Sequence, residues 1–248
     1  MSTFLLIASL ALVFGGPSLA AVFLYPMSKK ASKVLFDFVV STTSPHIFAV
    51  MKASKNFKVK AENPLKHKMP ERFVLISNHQ SLLDIPLFFT LFKGKNIRFV
   101  AKEELGHRVP LISAILKGHG HCLVPRDGDV MKAMHVLAAF GRRCAENNIN
   151  PAIFPEGTRS RNGELGAFYG AGFRSLSMNA KLPVVVCALD GAFKISGILG
   201  ILRNVKNGKY NIKVLKIYAS PKDKHECARI LEESHSLIQA QLNEWRKK

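Results

Sequence analysis

His79 and Asp84 are the side chains of this sequence best suited to acid–base chemistry. They lie five positions apart in Asn78-His79-Gln80-Ser81-Leu82-Leu83-Asp84. If the chain between them turns into a helix, the carboxylate can hold one imidazole nitrogen and leave the other as a base. No Gly-x-Ser-x-Gly nucleophile elbow accompanies them, so the nucleophile is expected to be a hydroxyl carried by the substrate. That chemistry is group transfer to an alcohol. A second polar string, Phe154-Pro155-Glu156-Gly157-Thr158-Arg159-Ser160, places Glu156 77 residues after His79. Gly157 permits an unusual turn. Arg159 offers a planar fork for a phosphate, and Glu156 can accept from a sugar-like or glycerol hydroxyl. Taken singly, the first string also fits a helix-capping cluster and the second a tight turn with a surface ion pair.

Both strings follow short apolar runs, Phe73–Ile76 and Ala152–Phe154. Three more such runs are Ile97–Ala101, Cys122–Val124 and Leu182–Leu189. Continuous apolar runs of this length suit strands covered on both faces of a parallel sheet. Val130, Met131, Met134, Leu137 and Ala138 recur at helical spacing between two of the runs. Alternating strands and helices give an α/β fold, a mostly parallel central sheet with flanking helices. In such sheets ligands bind beyond the carboxyl ends of the strands, where both polar strings lie. Asn207-Gly208 marks a tight turn, after which Tyr210, Ile212 and Val214 alternate as in a half-exposed strand. Ser220-Pro221-Lys222-Asp223 reads as a helix start capped by Ser220.

Residues 1–28 contain no charged side chain, and Lys29, Lys30 and Lys33 follow directly. About 20 apolar residues suffice to span a bilayer, and basic residues favour its cytoplasmic side. A second apolar stretch, 34–50, carries one acid, Asp37, and is interrupted at 41–45. Residues 1–56 are therefore expected to form a membrane-associated helix pair that dips into one leaflet or spans and returns. A buried helix pair is the competing reading. Residues 57–248 would form the α/β domain.

Of the 248 residues, 36 are Lys or Arg and 17 are Asp or Glu, a net charge of +19. Such a charge favours nucleic acid, an anionic lipid surface or a phosphorylated substrate. The basic residues are scattered and no nucleic-acid-binding string occurs, so nucleic acid is not expected as a partner. With 48% hydrophobic residues, disorder for want of apolar material is excluded. The four cysteines lack Cys-x-x-Cys spacing and read as reduced core residues. His119, His121 and Cys122 lack the second ligand pair of a zinc site, so no metal is expected.

The two polar strings together, in this order and at this separation, resemble the motifs of the 1-acylglycerol-3-phosphate acyltransferase (lysophosphatidic acid acyltransferase) family. The resemblance covers about residues 57–220 and implies a glycerolphosphate acyltransferase-like fold. It also implies the 1-acylglycerol-3-phosphate O-acyltransferase reaction. A fatty acyl group passes from acyl-CoA or acyl-carrier protein to the 2-hydroxyl of lysophosphatidic acid (1-acyl-sn-glycerol 3-phosphate), giving phosphatidic acid for phospholipid biosynthesis. The thioester is a co-substrate, and no cofactor is needed. His79 would then be the general base and Asp84 its orienting partner. Glu156, Gly157, Thr158 and Arg159 would form the acceptor site. Gly120-His121-Cys122-Leu123-Val124-Pro125-Arg126 resembles the family's middle motif, which makes Arg126 a phosphate ligand. Lys102 matches a family lysine beside the phosphate. The enzyme would work at the cytoplasmic face of a membrane bilayer. Glycerol 3-phosphate or a lysophospholipid is the alternative acceptor, and a non-enzymatic basic membrane-surface protein is the reading from another class.

Overall fold

The computed structural model describes residues 19–20, 23–24, 27–108, 110–125, 128–197, 200 and 203–247. The expectations for the first 18 residues lie outside them. Helix α1 (Lys29–Lys55) leads into strand β1 (Lys58–Glu62). Next come β2 (Val74–Ser77), α2 (Asp84–Leu91) and β3 (Ile97–Lys102). The short α3 (Leu105–Arg108) and α4 (Pro110–Gly118) precede β4 (Cys122–Val124). Then α5 (Val130–Glu146), β5 (Asn150–Ile153), α6 (Gly170–Ala180) and β6 (Val184–Asp190) alternate. The long β7 (Lys209–Tyr218) and α7 (Lys224–Arg246) complete the fold.

The strands form one seven-stranded sheet in the order β1-β7-β6-β2-β5-β3-β4. All pairings are parallel except β6 with β7. The five expected apolar runs are therefore β2 to β6, and their lack of polar alternation has a direct cause. On one face Phe73, Leu75, Val185 and Cys187 pack with Phe88 of α2 and with Ile47, Phe48 and Met51 of α1. On the other, Val74, Ile76, Val184 and Val186 pack under Leu137, Phe173, Leu176 and Ile230 of α5, α6 and α7. A strand covered on both sides has no solvent face on which to place polar residues.

Helix α1 departs from the expected break at residues 41–45. It runs unbroken for 27 residues with Pro45 inside it. Proline deletes one helix hydrogen bond. Burial of Phe36, Ile47, Phe48 and Met51 on one side of the helix outweighs that loss. Asp37, the one acid of this stretch, accepts from Arg98 Nη2 at 2.8 Å and lies 2.6 Å from His119 Nε2. It ties α1 to β3 and to the approach to β4. His119 Nδ1 lies 3.1 Å from His121 Nε2, and His121 Nδ1 accepts from the Phe99 N–H at 2.8 Å. Burial, more than any other cause, drives the His121 pKa well down and keeps the ring neutral. The two rings thus serve as a hydrogen-bonded strut.

The start of α7 also differs from expectation. Its N-cap is Asp223, whose carboxylate accepts from the His225 and Glu226 N–H groups, rather than Ser220 three residues earlier. An ionised carboxylate answers the helix dipole as a neutral hydroxyl does not. Strand β7 is more enclosed than a half-exposed strand. Tyr210, Ile212 and Val214 are buried as their alternation implies, but Asn211 between them is buried as well. The reason is its place between β1 and β6 in the sheet interior.

Candidate active site

Because β2 to β6 run parallel, their carboxyl ends share one edge of the sheet. His79 follows β2, Lys102 ends β3 and Glu156 follows β5. Topology thus gathers at one edge residues that are far apart in sequence. Arg126 follows β4 but lies outside the described residues.

His79 Nδ1 lies 2.7 Å from Asp84 Oδ2. The turn that closes this pair spans residues 80–83, and α2 begins only at Asp84. The chain does turn, as expected, but the helix starts at the acid rather than before it. The same carboxylate accepts from the Gln80 N–H at 2.8 Å and the Ser81 N–H at 3.0 Å, so it staples its own turn. The Tyr210 hydroxyl, from β7, is its fourth donor. Asp84 is fully buried, and all four of its partners are placed as donors to it. An acceptor-only carboxylate fixes His79 as the Nδ1–H tautomer. The Nε2 lone pair has no partner among the described residues, and the His79 side chain keeps 16% of its surface open. The imidazole also stacks on Phe154, with centroids 3.9 Å apart and planes 8° from parallel.

The rest of the first string is structural support. Asn78 exchanges two 2.8 Å hydrogen bonds with the Leu189 backbone and extends the β2–β6 ladder by a side chain. Gln80 donates to Asp190 Oδ1 at 3.1 Å and accepts from the Ala192 N–H at 3.2 Å. Ser81 Oγ donates to the Ile195 carbonyl at 2.7 Å. Arg246 of α7 holds Asp190 from the far side through Nε at 3.1 Å and Nη2 at 2.9 Å. Arg246 and Tyr210 were not expected from the sequence. Only the alternation that buries Tyr210 hinted at either, and nothing in it indicated a hydrogen bond.

Both carboxylate oxygens of Glu156 are taken up by backbone amides, one of them that of His79. Its Oε1 accepts from the His79 N–H at 2.8 Å and its Oε2 from the Gly166 N–H at 2.9 Å. It is buried, which raises its pKa, while the two amides pull it back down. An acid with a raised folded-state pKa favours the fold most at low pH. That contribution is lost as pH rises through the carboxylate range. Gly157 takes φ +65°, the left-handed turn its sequence context suggested. Thr158 is exposed and Arg159 half-buried, with Nη1 donating to the Ser196 carbonyl. The adjacent Ser160 N–H donates to the His79 carbonyl at 2.8 Å, so the two strings are joined through their backbones. Lys102 is half-buried at its strand end.

Glu156→Gln replaces one acceptor oxygen with an NH₂ that must face an N–H. Expected results are a stability loss of about 1–3 kcal/mol and a drop in activity, since the His79 backbone loses its anchor. Urea unfolding and steady-state kinetics check both.

The four cysteines are all free and buried. Burial pushes the thiols of Cys122 and Cys144 up to about 12, far from a nucleophilic thiolate. Among the described residues, this edge of the sheet therefore carries an imidazole bonded to a carboxylate, with Lys102 and Arg159 on strand ends or loops of the same edge.

The sequence profile of the Acyltransferase family matches residues 56–190. Human 1-acyl-sn-glycerol-3-phosphate acyltransferase beta is 33% identical over 134 residues, 52% of this chain and 44% of that protein. The Helicobacter pylori 1-acyl-sn-glycerol-3-phosphate acyltransferase is 31% identical over 122 residues, 49% of this chain and 50% of that protein. The chain thus spans about half the length of these relatives. The crystal structure of the 1-acyl-sn-glycerophosphate (LPA) acyltransferase PlsC from Thermotoga maritima superposes with a TM-score of 0.68 at 21% identity. That match covers 99% of this chain and 94% of the other, and it shows a shared fold. The profile covers more than half of the sequence and both polar strings, and the chain belongs to the Acyltransferase family.

Proposed function

We propose that the protein transfers a fatty acyl group from a thioester, acyl-CoA or acyl-carrier protein, to the 2-hydroxyl of 1-acyl-sn-glycerol 3-phosphate. The observation that carries this reading is the 2.7 Å pairing of His79 Nδ1 with a fully buried Asp84. It leaves Nε2 as the base. Nε2 takes the hydroxyl proton as the oxygen attacks the thioester carbonyl. The tetrahedral adduct collapses, the C–S bond breaks, and the imidazolium returns the proton to the departing thiolate. A thioester is already activated, so a base worth about 10²–10⁴-fold and the holding together of both substrates suffice. No covalent enzyme intermediate is required.

Lys102 and Arg159, with Arg126, are assigned to the acceptor phosphate. Arg159 has five N–H donors and spends one on Ser196, so a fork remains for an anion. Arg159→Ala should raise the acceptor KM about 10- to 100-fold and change kcat much less, as loss of a charge-assisted contact predicts.

The relatives' names support the choice of acceptor. Membrane association is supported by exposed Phe23, Met27, Val34 and Phe38 at the start of the chain. Among the described residues, no helix is long and apolar enough to cross a membrane. The reading is that the N-terminal region associates with a membrane facing the cytoplasm, either dipping into one leaflet or spanning and returning. Deleting residues 1–28 should release the protein from sedimenting membranes.

Purified protein given lysophosphatidate and a labelled acyl thioester, with each carrier in turn, should yield labelled phosphatidate. No product with either carrier defeats the proposal. Product only from glycerol 3-phosphate or a lysophospholipid reassigns the acceptor.

A further inference from the structure

Tyr210 is a fully buried tyrosine where phenylalanine would fill the same space. A buried hydroxyl is costly unless it is bonded, and this one donates to Asp84 Oδ1. We propose that Tyr210 is a positioning residue of the site: its hydroxyl sets the orientation and charge density of Asp84, and through it the strength of the His79 base. This inference rests on the reading of His79 and Asp84 as the proton-transfer pair.

The placement follows from the one antiparallel pairing in the sheet. Strand β7 runs against β6, with Asn211 opposite Asp190 and Ile212 opposite Leu189. Its first residues therefore reach the same edge as the last residues of the parallel strands. Gly191, just past the end of β6, permits a close approach to the start of β7. It has φ +103°, and a Cβ there would lie 2.1 Å from the Lys209 carbonyl oxygen. Any other residue would push the start of β7 away from the site.

Among the described residues, two further carboxylates bear on the pair and on Tyr210. Glu156 follows β5 and acts on both His79 and Asp84. Asp190 ends β6, acts on Tyr210, and is itself paired with Arg246 of α7. Burial first, and then the Asp84 charge, raises the proton affinity of Tyr210, so its hydroxyl remains a donor. A donor on Oδ1 draws charge from the carboxylate that faces the imidazole. Without it, Asp84 becomes a stronger acceptor, stabilises the imidazolium more, and is freer to rotate.

The test is Tyr210→Phe, which keeps the ring. The control is Tyr218→Phe, which removes a hydroxyl on the same strand that donates to Glu233. In Tyr210→Phe the plateau kcat for acyl transfer should fall about tenfold with KM unchanged. The acidic limb of kcat/KM should move to higher pH, because the base holds its proton more tightly. The His79 Nδ1–H proton resonance should move further downfield by NMR. Tyr218→Phe should show none of these changes. A Tyr210→Phe enzyme with a lower melting temperature but an unmoved limb and an unmoved Nδ1–H resonance would overturn the proposal. If the parent protein fails to acylate lysophosphatidate, the acyl-transfer reading falls, and the proton resonance still decides the role of Tyr210.

Discussion

Replacing His79 by alanine should lower kcat by about 10³-fold while leaving the melting temperature nearly unchanged. The size follows from removing the proposed general base, since such a group typically contributes between about 10² and 10⁴. The small effect on stability follows from the environment of the ring. Its bonds to the rest of the fold are made largely by its backbone, through the Glu156 carboxylate and the Ser160 N–H. Alanine keeps both of these. What is lost is one hydrogen bond to Asp84 and the stack on Phe154. Residual transfer should come from the positioning of the two substrates alone. Single-turnover kinetics with saturating donor and acceptor would separate this loss from any change in binding. An alanine variant within threefold of the parent would remove His79 from the chemistry.

Asp84→Asn should be at least as damaging to turnover, and it should also destabilise the protein. All four partners of the carboxylate are donors: the His79 ring, the Gln80 and Ser81 N–H groups and the Tyr210 hydroxyl. An amide of the same shape offers one acceptor oxygen and one NH₂. Whichever way it turns, an N–H is set against another donor in a fully buried site. If the NH₂ faces the imidazole, His79 must switch tautomer and bring its proton to Nε2, the atom that should act as base. A fall in kcat of about 10³–10⁴-fold is expected, with a stability loss of about 2–4 kcal/mol. The two effects can be read apart. The kinetic loss should persist at temperatures where circular dichroism shows the variant fully folded. An Asp84→Asn protein that is folded and active would show that the carboxylate does not select the tautomer.

These expectations differ from those for Glu156 and Arg159, although all four residues belong to two short strings. Glu156 holds the backbone of His79 and of Gly166, so its loss spreads through the loop. Arg159 is half-exposed and tied to Ser196 at one atom, so its loss should be felt in acceptor binding.

Sequence by itself determined β2 to β6, because an apolar run covered on both faces leaves its mark in consecutive residues; β1, Lys-Val-Lys-Ala-Glu, carries no such run and was not legible. Sequence determined the two polar strings too, since a base, its acid and an arginine fork are chemical types visible without coordinates. The pairing of His79 with Asp84 was legible because it is local: a five-residue span closed by its own turn. Tertiary structure alone decided the rest. A single helix through Pro45 depended on what its apolar side could bury, which no window of sequence displays. Glu156 was typed correctly as an acceptor, yet which donors it meets depended on how β5 lies beside β2. Tyr210 and Arg246 reach the site across 126 residues, to Asp84, and 56 residues, to Asp190. Their bonds exist because β7 runs antiparallel to its neighbour and α7 ends against β6. Short-range chemistry is written in the order of residues, whereas contacts between distant strands are set by how the whole sheet is assembled.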